Sequence, residues 1–210
     1  MSEPRTQADR IHLLNPWLYH WWIHDDRLSN FRSEAYAVLS PEGKVLIDPL
    51  PLTDAALEEM GKVAAICLTQ GHHQRSAWRY RKLFGAPVYA PAGAGNLDEQ
   101  PDQWYGADDR LPGPLKAIQT TGLPNGFALL VEARGGSGAL FCGDLITRDE
   151  GGPYRFPVQP GVIDPVKVRI GAKELVDLQV ESLCPAHGAP CVTGCGAALE
   201  KALEGGQGPS

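Results

Sequence analysis

The chain has no long apolar run. Its greasiest stretch, "IHLLNPWLYHWWI" at residues 11–23, falls short of the about 20 apolar residues a membrane helix needs. Asn15, Pro16 and two histidines also break it. No basic run stands out either: 19 Lys and Arg face 25 Asp and Glu, for a net charge of −6. Both absences set aside membrane and nucleic acid as partners. The opening "MSEPRTQADR" has no apolar centre, so it does not read as a secretory signal. Cysteine is sparse and odd in number (67, 142, 184, 191, 195), which excludes a dense disulfide framework. A reduced, cytoplasmic protein is the simplest reading. A Walker-type loop, a dinucleotide fingerprint and a GxSxG elbow are all missing. No cysteine has a clear general-base partner, and no internal repeat is visible.

What is present suits one globular domain. Of 210 residues, 43% are hydrophobic, and 24 glycines and 18 prolines imply many turns and short elements. The pattern predicts a flexible start at 1–10, a single domain over 11–204 and a flexible tail at 205–210. "EAYAVLSPEGKVLIDP" reads as a β-hairpin whose second strand stops at Asp48 and Pro49. "LTDAALEEMG" reads as a helix capped by Thr53 or Asp54 and closed by Gly61. A strand "AAICLT", a helix "SAWRYRKLFG" and a strand "APVYAP" follow, an order that suggests parallel pairing. Short strands "LKAIQTT", "GFALLVEAR" and "GALFCGD" then read as antiparallel. A helix with Val166, Ile170, Leu175 and Leu178 on its apolar side, a strand "VESLCPAHG" and a last helix complete the chain. An α+β protein with two packed sheets and helices outside fits this order.

Three strand ends carry the notable polar groups: the loop Gln70-Gly71-His72-His73-Gln74-Arg75, Asp144 in "LFCGDLI", and His187 in "LCPAHGAP". Groups at successive strand ends can converge on one sheet edge. Imidazoles with a carboxylate suit zinc or non-haem iron. Adjacent residues at a strand end point to opposite sides, so His73 is expected to face away from His72.

From about Ala35 to Leu203 these motifs resemble the metallo-β-lactamase superfamily. "AYAVLSPEGKVLIDP" is similar to its opening hairpin, "CLTQGHHQRSA" lies where the family has LTHxHxDH, "FCGDLI" matches its Gly-Asp strand, and "CPAHG" its PGHG. The resemblance implies an αβ/βα four-layer sandwich with a site on one edge. It also implies a hydrolase that activates water between two metals.

The ligand signature is thinner. By position, Gln70, Gln74, Arg75 and Leu123 replace family ligands, while His72, Asp144 and His187 remain. Two protein ligands per metal are too few, since catalytic zinc usually keeps three. A dinuclear site is therefore not expected. The resemblance leaves at most one divalent metal, zinc or iron, at His72, Asp144 and His187. His73 or the amide of Gln70 could complete it.

A guanidinium cannot bind metal, so Arg75 is expected to pair with Asp144 and stand in for a lost cation. Asp48 is expected to play a structural part, tethering the His loop. Tyr154, Arg155 and Phe156, just after Asp144, are candidate substrate contacts. Three readings follow. One is a hydrolase-like protein with Asp144, His187 and Arg75 as working residues, acting on a small ester, thioester or lactone. Another is a metal-free protein that binds a small-molecule ligand beside Arg75. The last is a homo-oligomeric interaction protein whose contact is Trp17, Trp21 and Trp22.

Overall fold

The computed structural model describes residues 2–122, 126–134, 137–156, 164–178 and 180–205. Strands β1 (His12–Asn15), β2 (Leu18–Asp25), β3 (Phe31–Ser40), β4 (Gly43–Ile47), β5 (Val63–Cys67), β6 (Val88–Pro91) and β7 (Gln103–Tyr105) form one half. Strands β8 (Leu115–Gln119), β9 (Phe127–Arg134), β10 (Ser137–Arg148), β11 (Tyr154–Arg155) and β12 (Ser182–His187) form the other. Helices α1 (Asp54–Met60) and α2 (Ala77–Phe84) belong to the first half, α3 (Pro165–Val176) and α4 (Cys195–Gly205) to the second. The strand order is β7-β6-β5-β4-β3-β12-β10-β9-β8. Strand pairing between the halves runs through β3 and β12, whose paired residues are Ser33 and His187.

Alternation along the strands builds the layers. Tyr36, Val38, Val45 and Ile47 point inward, where they meet Leu129, Val131, Ala139 and Phe141 of the second half. Their neighbours Ala35, Ala37 and Leu46 point outward and pack on Met60 of α1 and Trp78 and Tyr80 of α2. Ala128, Leu130, Leu140 and Cys142 do the same against Val168 and Leu175 of α3 and Leu199 of α4. Both faces of each sheet are thus covered, giving helix, sheet, sheet, helix: the four-layer αβ/βα sandwich. Parallel pairing joins β4 to β5, β5 to β6, and β10 to β12.

Local chemistry explains the element ends. The Thr53 hydroxyl accepts from the Ala56 amide at the start of α1, and Gly61 ends it at φ 66°. Asp164 accepts from the Val166 and Lys167 amides at the start of α3. The apolar side expected of α3 is corrected: Val168, Ala172 and Leu175 are buried, while Val166 and Ile170 are 66% and 50% exposed. Gly171 lies so close to Thr121 that a Cβ there would meet it at 3.1 Å, and this tight seat sets the helix rotation.

The start of the chain, read above as flexible, is docked over residues 2–8. The Ala8 amide donates to Pro51 O, the Thr53 amide donates to Ala8 O, and Glu3 accepts from Ser76. In the aromatic segment Trp17 and Trp22 are only partly buried. Trp21 is fully buried and donates to Leu50 O, so an interface built from all three tryptophans is excluded. No helix among the described residues is long and apolar enough to cross a membrane.

Candidate metal centre

The site lies where the ends of β4, β5 and β12 meet the distal part of β10. After β5 the chain makes a single 3-10 turn, Gly71–Gln74. Consecutive residues in such a turn are about 120° apart, unlike the alternation of a strand. That corrects the expectation for His73, which does not face away. Its ring centroid is 4.4 Å from that of His72, and both rings reach Asp144. Gly143, at φ 51°, allows the approach: a Cβ there would sit 2.9 Å from Thr69 Oγ1. Asp144 lies within β10 rather than after it, where the pairing to β12 is irregular.

Three imidazoles converge on this carboxylate. His72 Nε2 is 2.7 Å from Asp144 Oδ2. His73 Nε2 is 3.2 Å and His187 Nε2 3.4 Å from Oδ1. Ligand atoms of His72, His73 and Asp144 all lie within 4.8 Å of one another. His73 Nε2 and Asp144 Oδ1 are buried yet lack a well-formed hydrogen bond. Two orphaned ligand atoms in a His, His, Asp set fit a divalent metal by geometry and by donor type.

Asp48 holds the other side of His73. Its Oδ2 is 3.1 Å from His73 Nδ1 and accepts from the Thr69 hydroxyl at 2.6 Å, while Oδ1 accepts from the Thr69 amide. A histidine that donates through Nδ1 to a carboxylate presents Nε2 as its free ligand atom. Asp48 has a left-handed backbone, φ 46°, and Arg75 has φ 36°. Such sparsely populated conformations at two residues that meet at the site, Arg75 Nη1 donating to Asp48 O, mark a geometry the fold must enforce.

Arg75 corrects a second expectation. It is buried, and among the described residues no ion pair joins it to Asp144. Its Nη1 donates to Glu34 O at 2.6 Å and Asp48 O at 3.0 Å, and its Nη2 to Ala186 O at 3.4 Å. A guanidinium has five donors and no acceptor, and here three main-chain carbonyls, from β3, the end of β4 and β12, accept from its two Nη groups. Arg75 still acts by its field. Burial lowers its pKa, and the charges of Asp48 and Asp144 oppose that fall.

The electrostatics set the three histidines apart. Burial works against an imidazolium at His73, but Asp144 and Asp48 outweigh it and raise the group to about 9. Burial lowers His187 to about 4, with Asp144 only partly opposing, so this imidazole is neutral at pH 7. Burial disfavours the Asp144 carboxylate, yet His73 and the bond from His72 hold it well below the ordinary carboxylate range.

Of the replaced family positions, Gln74 is consumed structurally. Its Oε1 accepts from Trp78 Nε1 and the Asp98 amide, and its Nε2 donates to Asn96 O. Leu123 lies outside the described residues. A cleft of about 300 Å³ opens on the centre and is lined by Arg27, Leu28, His72, His73, Arg75 and His187, with Ser2, Gln74 and Asn96. Tyr154, Arg155 and Phe156 are not among its lining residues. Tyr154 is buried and donates to Ala189 O, Arg155 pairs with Asp149, and Phe156 packs against the core of the second half.

A model of the metallo-beta-lactamase superfamily matches residues 11–183. The chain belongs to that superfamily. The match begins earlier than the motif resemblance from Ala35 and takes in the aromatic strand β2. Solved structures of superfamily members share the fold. An archaeal superfamily protein from Sulfolobus tokodaii aligns at 18% identity and TM-score 0.69, covering 91% of this chain and 87% of its own. A metallo-beta-lactamase from Pontibacter korlensis aligns at 15% and 0.67, covering 94% and 99%. A metallo-beta-lactamase family protein from Thermus thermophilus aligns at 17% and 0.65, covering 92% and 79%. No curated protein matches. At these identities the likeness speaks for the fold, and the chemistry rests on the residues of this chain.

Proposed function

We propose that this superfamily member is a hydrolase-like protein that uses at most one divalent metal, zinc or iron, on a small ester, thioester or lactone. One observation carries the reading: His72, His73 and Asp144 bring their ligand atoms within 4.8 Å of one another. His73 restores the third protein ligand that catalytic zinc needs. When bound, the metal supplies Lewis acidity to a carbonyl and lowers the pKa of water, to about 7 in favourable sites.

The chain's own groups do the rest. Asp48 fixes the tautomer of His73. Thr69 holds Asp48. His187, neutral at pH 7 and 3.4 Å from Asp144 Oδ1, accepts a proton at Nε2 or joins the ligand set. Arg75 keeps the carbonyl-lined floor rigid and its positive field close to both carboxylates.

The test is elemental analysis of protein purified without added metal or chelator, alongside His72→Ala, His73→Ala and His187→Ala. About one equivalent of metal, lost in the His72 and His73 variants, with hydrolysis of phenyl esters, thioesters or lactones, is the expected result. A metal-free, ligand-binding protein is the second reading. The observation favouring it is that His73 and Arg75 supply two cations against the carboxylates of Asp48 and Asp144. Folded protein with no metal, no uptake of added zinc or iron, and no hydrolysis would select it.

A further inference from the structure

The cleft contains one cation that the metal centre does not use. Arg27 sits on the 3-10 turn Asp26–Leu28 that joins β2 to β3. It lines the cleft together with His72, His73 and His187. Its Nε donates to Asp25 Oδ1 at 2.9 Å and its Nη2 to Asp25 Oδ2 at 2.6 Å. Asp25 is itself fully buried, so this two-point contact fixes the guanidinium plane. The Arg27 side chain stays 28% exposed, and its Nη1 has no hydrogen-bond partner among the described residues. Asp25 also accepts from the Ser33 hydroxyl, which lies 3.3 Å from His187 Nδ1. The same buried carboxylate thus anchors Arg27 and is linked through Ser33 to His187.

The charged and imidazole side chains on the cleft wall are all nitrogen-bearing, set among apolar surface. Arg27, Arg75, His72, His73 and His187 line that wall, and among the described residues no Asp or Glu does. The carboxylates of Asp25 and Asp48 are buried behind these side chains. Behind that wall Asp25, Asp48 and Asp144 balance Arg27, His73 and Arg75, so what the cleft offers a ligand is the unused N–H edge of Arg27 rather than an excess of positive charge. Leu28, adjacent to Arg27 and 43% exposed, adds an apolar strip. The cleft, at about 300 Å³, is at the small end of ligand pockets.

We propose that Arg27 is a substrate-recognition residue, and that the substrate is a small acyl compound carrying a free carboxylate, which the open edge of Arg27 binds while its apolar body lies along Leu28. A carboxylate suits one free guanidinium edge, because its two oxygens take parallel N–H donors. A phosphate group would call for more donors than this one edge offers. The proposal deepens the hydrolase reading and rests on it for the reaction, but not for the binding.

The experiment pairs monophenyl adipate with phenyl hexanoate, which differ by a carboxylate in place of a methyl group. Hydrolysis of each is followed with zinc-loaded wild type, Arg27→Gln and Arg27→Lys. Binding of adipate is measured by calorimetry on chelator-treated and zinc-loaded protein, with folding checked by circular dichroism. The anionic ester should be preferred in kcat/KM by at least about tenfold, the size of one charge-assisted hydrogen bond. The preference should vanish in Arg27→Gln and shrink in Arg27→Lys, which keeps the charge beside Asp25 but loses the fork. If Arg27→Gln does not fold, the Arg27→Lys ratio decides. Equal cleavage of both esters, or a preference untouched in the folded variants, overturns the proposal and leaves the hydrolase reading standing. No cleavage of either ester, nor of the matching thioesters and lactones with zinc or iron, with adipate binding to chelator-treated protein that depends on Arg27, keeps the binding proposal and overturns the hydrolase reading. Neither cleavage nor adipate binding overturns both.

Discussion

His73 Nε2 lies 3.2 Å from Asp144 Oδ1, and neither atom has a well-formed hydrogen bond. The other ring nitrogen faces Asp48. Without metal, an imidazolium between two carboxylates fills this place, and burial is overcome by their charges to raise His73 to about 9. A raised folded pKa means that the folded state binds the proton more tightly than the unfolded state. The stabilisation is therefore complete below the unfolded value, about 6.5, and is lost as pH rises through about 9. Urea midpoints of chelator-treated wild type and His73→Gln should differ most near pH 6 and converge by pH 10. A gap that stays constant over that range would show that His73 is not charged there.

Metal must displace this proton, because a ligating imidazole gives its lone pair. Apparent zinc affinity should then climb by about tenfold per pH unit from pH 6 to 8. Competition against a chelator of known affinity, corrected for the chelator's own protonation, measures the slope. A flat profile would place the metal on other atoms or nowhere. His187, held at about 4 by burial, contributes no such slope in this range.

Asp48 should act on metal through His73. Asp48→Asn keeps the shape but replaces the acceptor at His73 Nδ1 with an amide. Loss of such a supporting carboxylate typically costs about 10–100-fold in metal affinity. Zinc affinity of Asp48→Asn should fall into that range while the circular dichroism spectrum stays native. An unchanged affinity would mean that Asp48 serves only the Thr69 loop.

The fold was legible because the layers follow from alternation, caps and motif order. Tyr36 and Val38 against Ala35 and Ala37 already divide β3 into two faces, and Thr53 and Gly61 bracket α1. Asp144, His72 and His187 were legible as residue types near strand ends. His73 was not, because a period of two holds for strands and this loop turns by thirds. Arg75 was legible as a buried cation near carboxylates, but its targets were not: main-chain carbonyls leave no trace in side-chain identity. Arg27 was missed for the same reason. Only the folded hairpin between β2 and β3 brings residue 27 to the wall that holds residues 72 and 187.

Arg75 should matter to stability more than to metal content. Its guanidinium ties Glu34 O, Asp48 O and Ala186 O together across both halves of the sandwich. Removing it leaves those carbonyls with fewer partners and leaves His73 as the one buried cation facing Asp48 and Asp144 among the described residues. Breaking such a buried charge arrangement from one side costs roughly 3–5 kcal/mol. Arg75→Ala should lower the unfolding free energy, measured by urea denaturation, by that much, and Arg75→Lys by less, since an ammonium restores charge but cannot span three carbonyls. If Arg75→Ala unfolds within about 1 kcal/mol of wild type, the surface-pair range, the guanidinium is not the clamp between the halves. If instead both variants keep stability but lose zinc, Arg75 belongs to the metal centre after all.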